Sequence, residues 1–165
     1  MSREQFWFFH PFRVRYPEID GQGVVFNAHY LTYFDTSITE YFRALGYDQY
    51  VDSRKTGIDF HVVKSLIEYR APVLFDQKIE VGVRVTRIGN SSLVFELAIF
   101  LEAATDVFVT GEIVWGLHRP EDASAGNDTG FDPGIDCHAR TAFHPTPNQL
   151  AGPGGLLFGF PAREG

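Results

Sequence analysis

Cysteine is nearly missing from this sequence. Cys137 is the single one, so the chain closes no internal disulfide, and a reducing, cytoplasmic setting is expected. Basic runs are missing too, and the net charge is −7. That leaves out the electrostatic footprint of a nucleic-acid binder. No apolar run approaches the ~20 residues that a membrane helix needs, so no membrane partner is expected. The opening "MSREQFWFFHPFRVRY" breaks its apolar patch at His10 and Pro11 and has neither the core nor the cleavage site of a signal peptide. The G-x-S-x-G elbow, the P-loop and the dinucleotide-binding glycine pattern are all absent. Cys137, His138 and His144 lack a second cysteine pair, so no metal site is expected.

What is present is hydrophobic and aromatic, 44% and 15% of 165 residues, with 16 Phe and 7 Tyr. Such a composition belongs to a globular chain, and the length favours one domain. Phe8, Phe12, Val14 and Tyr16 share one parity and predict a strand over residues 8–16, ended by Pro17. From Tyr30 the period changes. Tyr30, Leu31, Phe34, Ile38, Tyr41, Phe42 and Leu45 form a helical stripe, which predicts one long helix over residues 28–45 with Gly46 as its stop. Runs of strand period follow at residues 60–69, 78–85, 93–102 and 107–118. Short turns join the last three, the pattern of an antiparallel meander. Strand, helix, four strands is an α+β order, with one helix on one antiparallel sheet. Residues 120–165 hold 8 of the 16 Gly and 6 of the 9 Pro and show no period. We divide the chain into a domain at 1–120 and an irregular, mobile extension at 121–165.

The chemistry centres on "EIDGQGVVFNAHYLTYFD", residues 18–35. Asp20 sits in a Gly-rich turn and precedes the helix by about eight residues. A carboxylate can activate water or attack a carbonyl itself. A helix N-terminus offers free N–H groups and a positive dipole end to an oxyanion. Gly21 and Gly23 allow a close backbone approach. The plain alternative is that Asp20-Gly21 only forms a turn. Glu18 is a rival carboxylate, and like charge at Glu18 and Asp20 would raise one pKa. His29, at the helix start, either orients a substrate or bonds the backbone. Glu40 lies three turns in and reads as an ion-pair residue, and His61 and His118 read as structural.

Three blocks carry a resemblance. They are "IDGQGVVFNAHYLTYFDTSITEYFRALG", "IEYRAPVLFDQKIEV" with its Tyr-x-x-Pro turn, and "RIGNSSLVFELAIF" with its Gly-x-Ser-Ser hairpin. In this order they resemble the hotdog-fold acyl-CoA thioesterases of the 4-hydroxybenzoyl-CoA thioesterase type, over roughly residues 10–120. The resemblance implies a hotdog fold, a five-stranded antiparallel sheet wrapped around one long helix. It implies acyl-CoA hydrolysis with water as co-substrate and no metal or organic cofactor. Asp20 takes the place of the catalytic carboxylate, and the Asn27 amide that of the group polarising the carbonyl. Gly23, His29 and Tyr30 fall at the substrate, with Tyr30 packed on the loop. Arg87, Asn90, Ser91 and Ser92 fall where the coenzyme is held, helped by Arg84. Many relatives carry Pro after the Asp, so Gly21 implies a looser loop.

The resemblance also implies a homodimer or homotetramer with sites at subunit interfaces, where Arg70 or Arg119 could serve a partner. Phe26, Tyr33 and Phe34 are candidate pocket walls that suit an aryl or a medium acyl chain equally. Two other readings stay open: an acyl-CoA-binding protein without turnover, and a hydratase or dehydratase. Coenzyme A or an acyl-carrier protein, and Asp20 as nucleophile or base, also stay open.

Overall fold

The computed structural model describes residues 1–118. The extension at 121–165, with Cys137, His138 and His144, and Arg119 lie outside the described residues. The elements are β1 (Phe8–Arg13), α1 (Asn27–Ala44), α2 (Gln49–Thr56), β2 (Asp59–Tyr69), β3 (Lys78–Ile88), β4 (Ser92–Leu101) and β5 (Val107–His118), with 3-10 turns at Arg3–Gln5 and Tyr16–Glu18. The five strands form one sheet in the order β1-β3-β4-β5-β2. Every neighbouring pair is antiparallel.

The sheet wraps α1. Tyr33, Phe34, Ile38, Tyr41 and Phe42 of the helix stripe are all buried, with Phe34 and Ile38 at 0% exposure. They meet Ile79, Val81 and Val83 of β3, Phe95 and Leu97 of β4, and Ile113 and Trp115 of β5 in one cluster. Phe42 stacks on Trp115 with ring centroids 5.6 Å apart. Gly111 of β5 lies directly under Phe34, and a Cβ there would overlap the Phe34 ring. A glycine inside a strand marks such a close approach. Gly82 of β3 does the same on the outer face, where a Cβ would come within 2.7 Å of Phe6.

The end of α1 follows from its sequence. Gly46 has φ +77. Its amide donates to the Arg43 carbonyl, and the Tyr47 amide reaches back to the Phe42 carbonyl at 3.0 Å. The Tyr47 and Phe42 rings lie 5.6 Å apart. This is the double hydrogen bond and apolar contact of a Schellman stop.

Two expectations need correction. The strand over 8–16 ends at Arg13, and the chain turns into a 3-10 helix at Tyr16–Glu18. Tyr16 therefore leaves the apolar face and is 75% exposed. Pro11 is accommodated because β1 is an edge strand, paired with β3 alone. The second correction is α2, which the apolar period does not announce because the helix has no buried stripe. Its punctuation is in the sequence all the same. The Asp48 side chain accepts from the Val51 amide at 3.0 Å, and Gly57 ends the helix at φ 70.

The other edge is β2, most of which is exposed. Val62, Val63, Leu66 and Tyr69 are 52%, 48%, 48% and 53% exposed. The fit of helix to sheet leads to a prediction. Gly111→Ala forces Phe34 out of register and costs about 1–3 kcal/mol, the usual range for overpacking. Urea unfolding of the variant, with an unchanged slope and a lower midpoint, measures it.

Candidate active site

Residues 18–26 form a small closed hairpin. Ile19 pairs with Val25. The Asp20 amide donates to the Val24 carbonyl at 2.9 Å, and the Phe26 amide to the Glu18 carbonyl at 2.9 Å. The Gly23 amide donates to the Asp20 carbonyl at 3.0 Å. Gly23 has φ +77, a conformation that favours a residue without a Cβ. Gly21 is different. Its φ is not positive, its amide makes no hydrogen bond among the described residues, and nothing lies within 4 Å of a Cβ built on it. The looser loop expected from Gly21 is thus countered by three main-chain bonds. The hairpin docks on the chain before β3, with the Val25 amide bonded to the Val73 carbonyl at 2.8 Å and Val24 paired with Leu74.

Asp20 does form the turn. Its Oδ1 accepts from the Gln22 amide at 2.8 Å. The second carboxylate oxygen makes no hydrogen bond among the described residues. The side chain is half-buried. Its charge reaches Tyr30, whose hydroxyl is pushed up chiefly by burial, with a hydrogen bond at Val73 opposing and the charges of Tyr69 and Asp20 adding. Tyr30 is 3% exposed and packs edge-on to Tyr69 at 5.1 Å.

α1 begins straight after the hairpin. Its N-cap is Phe26, which has no side-chain oxygen and makes no cap bond, and its first turn carries no acidic residue. The His29 amide donates to the Phe26 carbonyl at 2.9 Å, whereas the Asn27 and Ala28 amides reach no acceptor among the described residues. The helix end is therefore left with its N–H groups and dipole unspent. The Asn27 carbonyl accepts from the Tyr69 hydroxyl at 3.4 Å. The His29 ring lies 6.2 Å from Phe26 and makes no hydrogen bond among the described residues.

Glu18 is not a rival base. It is 4% exposed. Its Oε2 accepts from the Arg15 amide at 2.7 Å and the Tyr33 hydroxyl at 2.8 Å, and its Oε1 from Arg15 Nε at 2.9 Å and Nη2 at 2.5 Å. Burial alone would raise its carboxyl. The bonds from the Arg15 side chain, the Arg15 amide and Tyr33 outweigh burial and leave it below its ordinary value. The pKa elevation expected from coupling with Asp20 is thus reversed at Glu18, because donors surround it. Tyr33 and Phe34, candidate pocket walls, are core residues at 2% and 0% exposure, while Phe26 is 47% exposed.

A family model for the thioesterase superfamily matches residues 22–107. The chain belongs to the thioesterase superfamily. As a member it is a thioester hydrolase by class. It is 32% identical over 86 residues to the acyl-CoA thioesterase YbgC of Haemophilus influenzae, a match over 52% of this chain and 63% of that protein. The matched segment thus spans less than two thirds of that relative. The crystal structure of the PA5185 protein from Pseudomonas aeruginosa, 33% identical, superposes with a TM-score of 0.65 over 86% of this chain and 92% of that one. The DHNA-CoA thioesterase of Staphylococcus aureus shares the fold at 24% identity, with a TM-score of 0.62 over 67% and 73% of the two chains. The fold is the hotdog fold.

The residues expected to hold the coenzyme lie elsewhere. Arg87, Asn90, Ser91 and Ser92 cluster at the β3–β4 hairpin, closed by the Gly89 amide on the Ser92 carbonyl at 2.7 Å and tied to β5 by the Leu117 amide on the Ser91 carbonyl at 2.8 Å. Arg87 is exposed and has no ion-pair partner among the described residues. Arg84 pairs with Glu96 and lies over the Phe6 ring. Arg70 lies 3.9 Å from Glu68. Glu40 pairs with Arg43, as read from the sequence, and the His61 and His118 rings lie 4.5 Å apart at a tilt. The Asp20 hairpin adjoins the start of β3, where Arg13 faces Lys78, while Arg87 stands at its end. Eleven residues of strand separate the ends, roughly 33 Å at 3.3 Å per residue. One chain does not bring Asp20 and the hairpin together.

Glu18 yields a pH prediction. A carboxyl with a lowered folded pKa contributes stability that is full above its unfolded value and fades as pH falls through the folded one. Its ordinary value is 4.5. Melting temperatures of the protein and of Glu18→Gln should differ most above that pH and converge below it.

Proposed function

We propose that this chain is an acyl-CoA thioester hydrolase in which Asp20 supplies the carboxylate and the start of α1 the electrophilic end. One observation carries this reading. A carboxylate with one oxygen unbonded among the described residues is held by a hydrogen-bonded hairpin next to a helix whose Asn27 and Ala28 amides have no acceptor among the described residues. A thioester carbonyl oxygen at those amides gains charge stabilisation as it becomes an oxyanion. Asp20 then accepts the proton of the attacking water, or attacks the carbonyl itself to give an anhydride that water opens. Either way the thiolate of coenzyme A leaves and the free acid remains. His29 and Tyr30 flank the carbonyl, and Gly23 lets the backbone approach it.

The working unit in this reading is a homodimer joined through β2. Tyr69, at one end of β2, touches Asn27, and Asp59, at the other, faces His118 beside the hairpin strands. A two-fold, antiparallel pairing of β2 with a second β2 sets the Asp20 end of one subunit against the hairpin end of the other. That joining supplies the coenzyme-holding residues Arg87, Asn90, Ser91 and Ser92 in trans. It also covers Val62, Val63, Leu66 and Tyr69, an exposed edge that invites pairing. Light scattering at micromolar concentration should give a mass of at least two chains, and a clean monomer would count against the shared site.

The chemical test is Asp20→Asn. It keeps the turn hydrogen bond, since Asn suits such turns as well as Asp does. Thiol release from a panel of aryl and medium-chain acyl-CoAs should fall in kcat by about 10²–10⁴, with melting unchanged. A near-normal kcat would return Asp20 to a turn-forming role. Hydration, or binding without thiol release, would turn the reading to the hydratase or the non-catalytic binder.

A further inference from the structure

We propose that Glu18 and Tyr33 form a positioning device that sets Asp20 against the N-terminus of α1 and thereby governs kcat. The proposal rests on the reading of Asp20 above and extends it to two residues that touch no substrate.

The device is built from one residue with two attachments. The Glu18 side chain is fixed to α1 by the Tyr33 hydroxyl at 2.8 Å. Tyr33 stands six residues into the helix, about 9 Å along its axis. The Glu18 main chain is fixed to the helix entrance, since its carbonyl accepts the Phe26 amide at 2.9 Å. Both ends of the hairpin are therefore referred to one helix, and Asp20 follows Glu18 by two residues. Tyr33 is itself held against Phe12 at 4.9 Å and Tyr30 at 6.3 Å. A mobile ring would not make a reference point.

The choice of a carboxylate is also explained. Four donors converge on Glu18, three from Arg15 and one from Tyr33. An ionised carboxylate accepts at both oxygens and donates nothing, whereas an amide would turn an NH₂ toward donors. A buried charge without such partners would be costly. Charge and donors together make the geometry single-valued, which a hydrophobic contact at position 18 would not do. Small misplacements matter here, because a displacement of about 1 Å in an active site can cost 10²-fold in rate.

The experiment is a double-mutant cycle between Tyr33→Phe and Asp20→Asn, read in kcat and KM on the acyl-CoA that the panel shows to be turned over fastest. Tyr33→Phe keeps the ring packing and removes only the hydroxyl. It should lower kcat on the order of tenfold to a hundredfold, change KM by less than about twofold, and add almost nothing in the Asp20→Asn background. A purely structural role moves the melting temperature but gives the same further loss in both backgrounds. That outcome, or a normal kcat in Tyr33→Phe, would overturn the proposal. Arg15→Met is the second variant. It removes two of the four donors to buried Glu18, which costs stability, so its kcat is read below its own melting temperature; there it should fall in the same non-additive way, and a normal kcat would overturn the proposal. Asp20→Asn alone tests the reading beneath: if it is slow while Tyr33→Phe is normal, only the positioning device is lost.

Discussion

Phe34 sits where a side chain on Gly111 would have to be, and most of the molecule depends on that approach. It brings α1 down onto the middle of the sheet, so that the strands curve around the helix and close the core on Phe95, Leu97 and Ile99. Packing at this density leaves little freedom for the helix to slide or rotate. The position of its N-terminus relative to β1 and the loop before β3 is then determined. The proposed role of Asp20 needs such a fixed reference, and a long buried helix supplies it.

The same architecture leaves the sheet with unequal edges. β1 is short, carries Pro11 and is shielded by the N-terminal segment, in which Phe6 and Arg3 cover the outer face near Phe9 and Phe100. β2 is long and largely exposed. The protein therefore has one edge that resists addition of a strand and one that accepts it. The separation of Asp20 from the Arg87 hairpin along β3 has its physical origin in strand length. No rearrangement of loops closes a gap of roughly 33 Å.

At Asp20 a turn-forming role and the proposed chemistry are compatible. One oxygen closes the turn on Gln22, and the other makes no hydrogen bond among the described residues. Glu18 absorbs the local positive charge of Arg15, so Asp20 is left without an ion pair among the described residues. Two carboxylates two residues apart thus have different fates, decided by burial and by which donors reach them.

Much of the fold was legible because its signals are local. The 3.6 period of α1, its stop at Gly46, the alternating runs of β2 to β5 and the positive-φ glycine at 23 can all be read along the chain. The thioesterase family was legible too, and the family model matches residues 22–107. The fate of Glu18 was not, because its donor Tyr33 reaches it only when α1 packs against the 3-10 turn at Tyr16–Glu18. Tyr33 and Phe34 looked like pocket walls for the same reason: which side of an aromatic helix faces the core is decided by the sheet it meets. Sequence alone determined the long helix, the four later strands and the family. Only the tertiary structure decided which carboxylate is free, because desolvation and hydrogen bonding depend on residues that the chain brings together by folding.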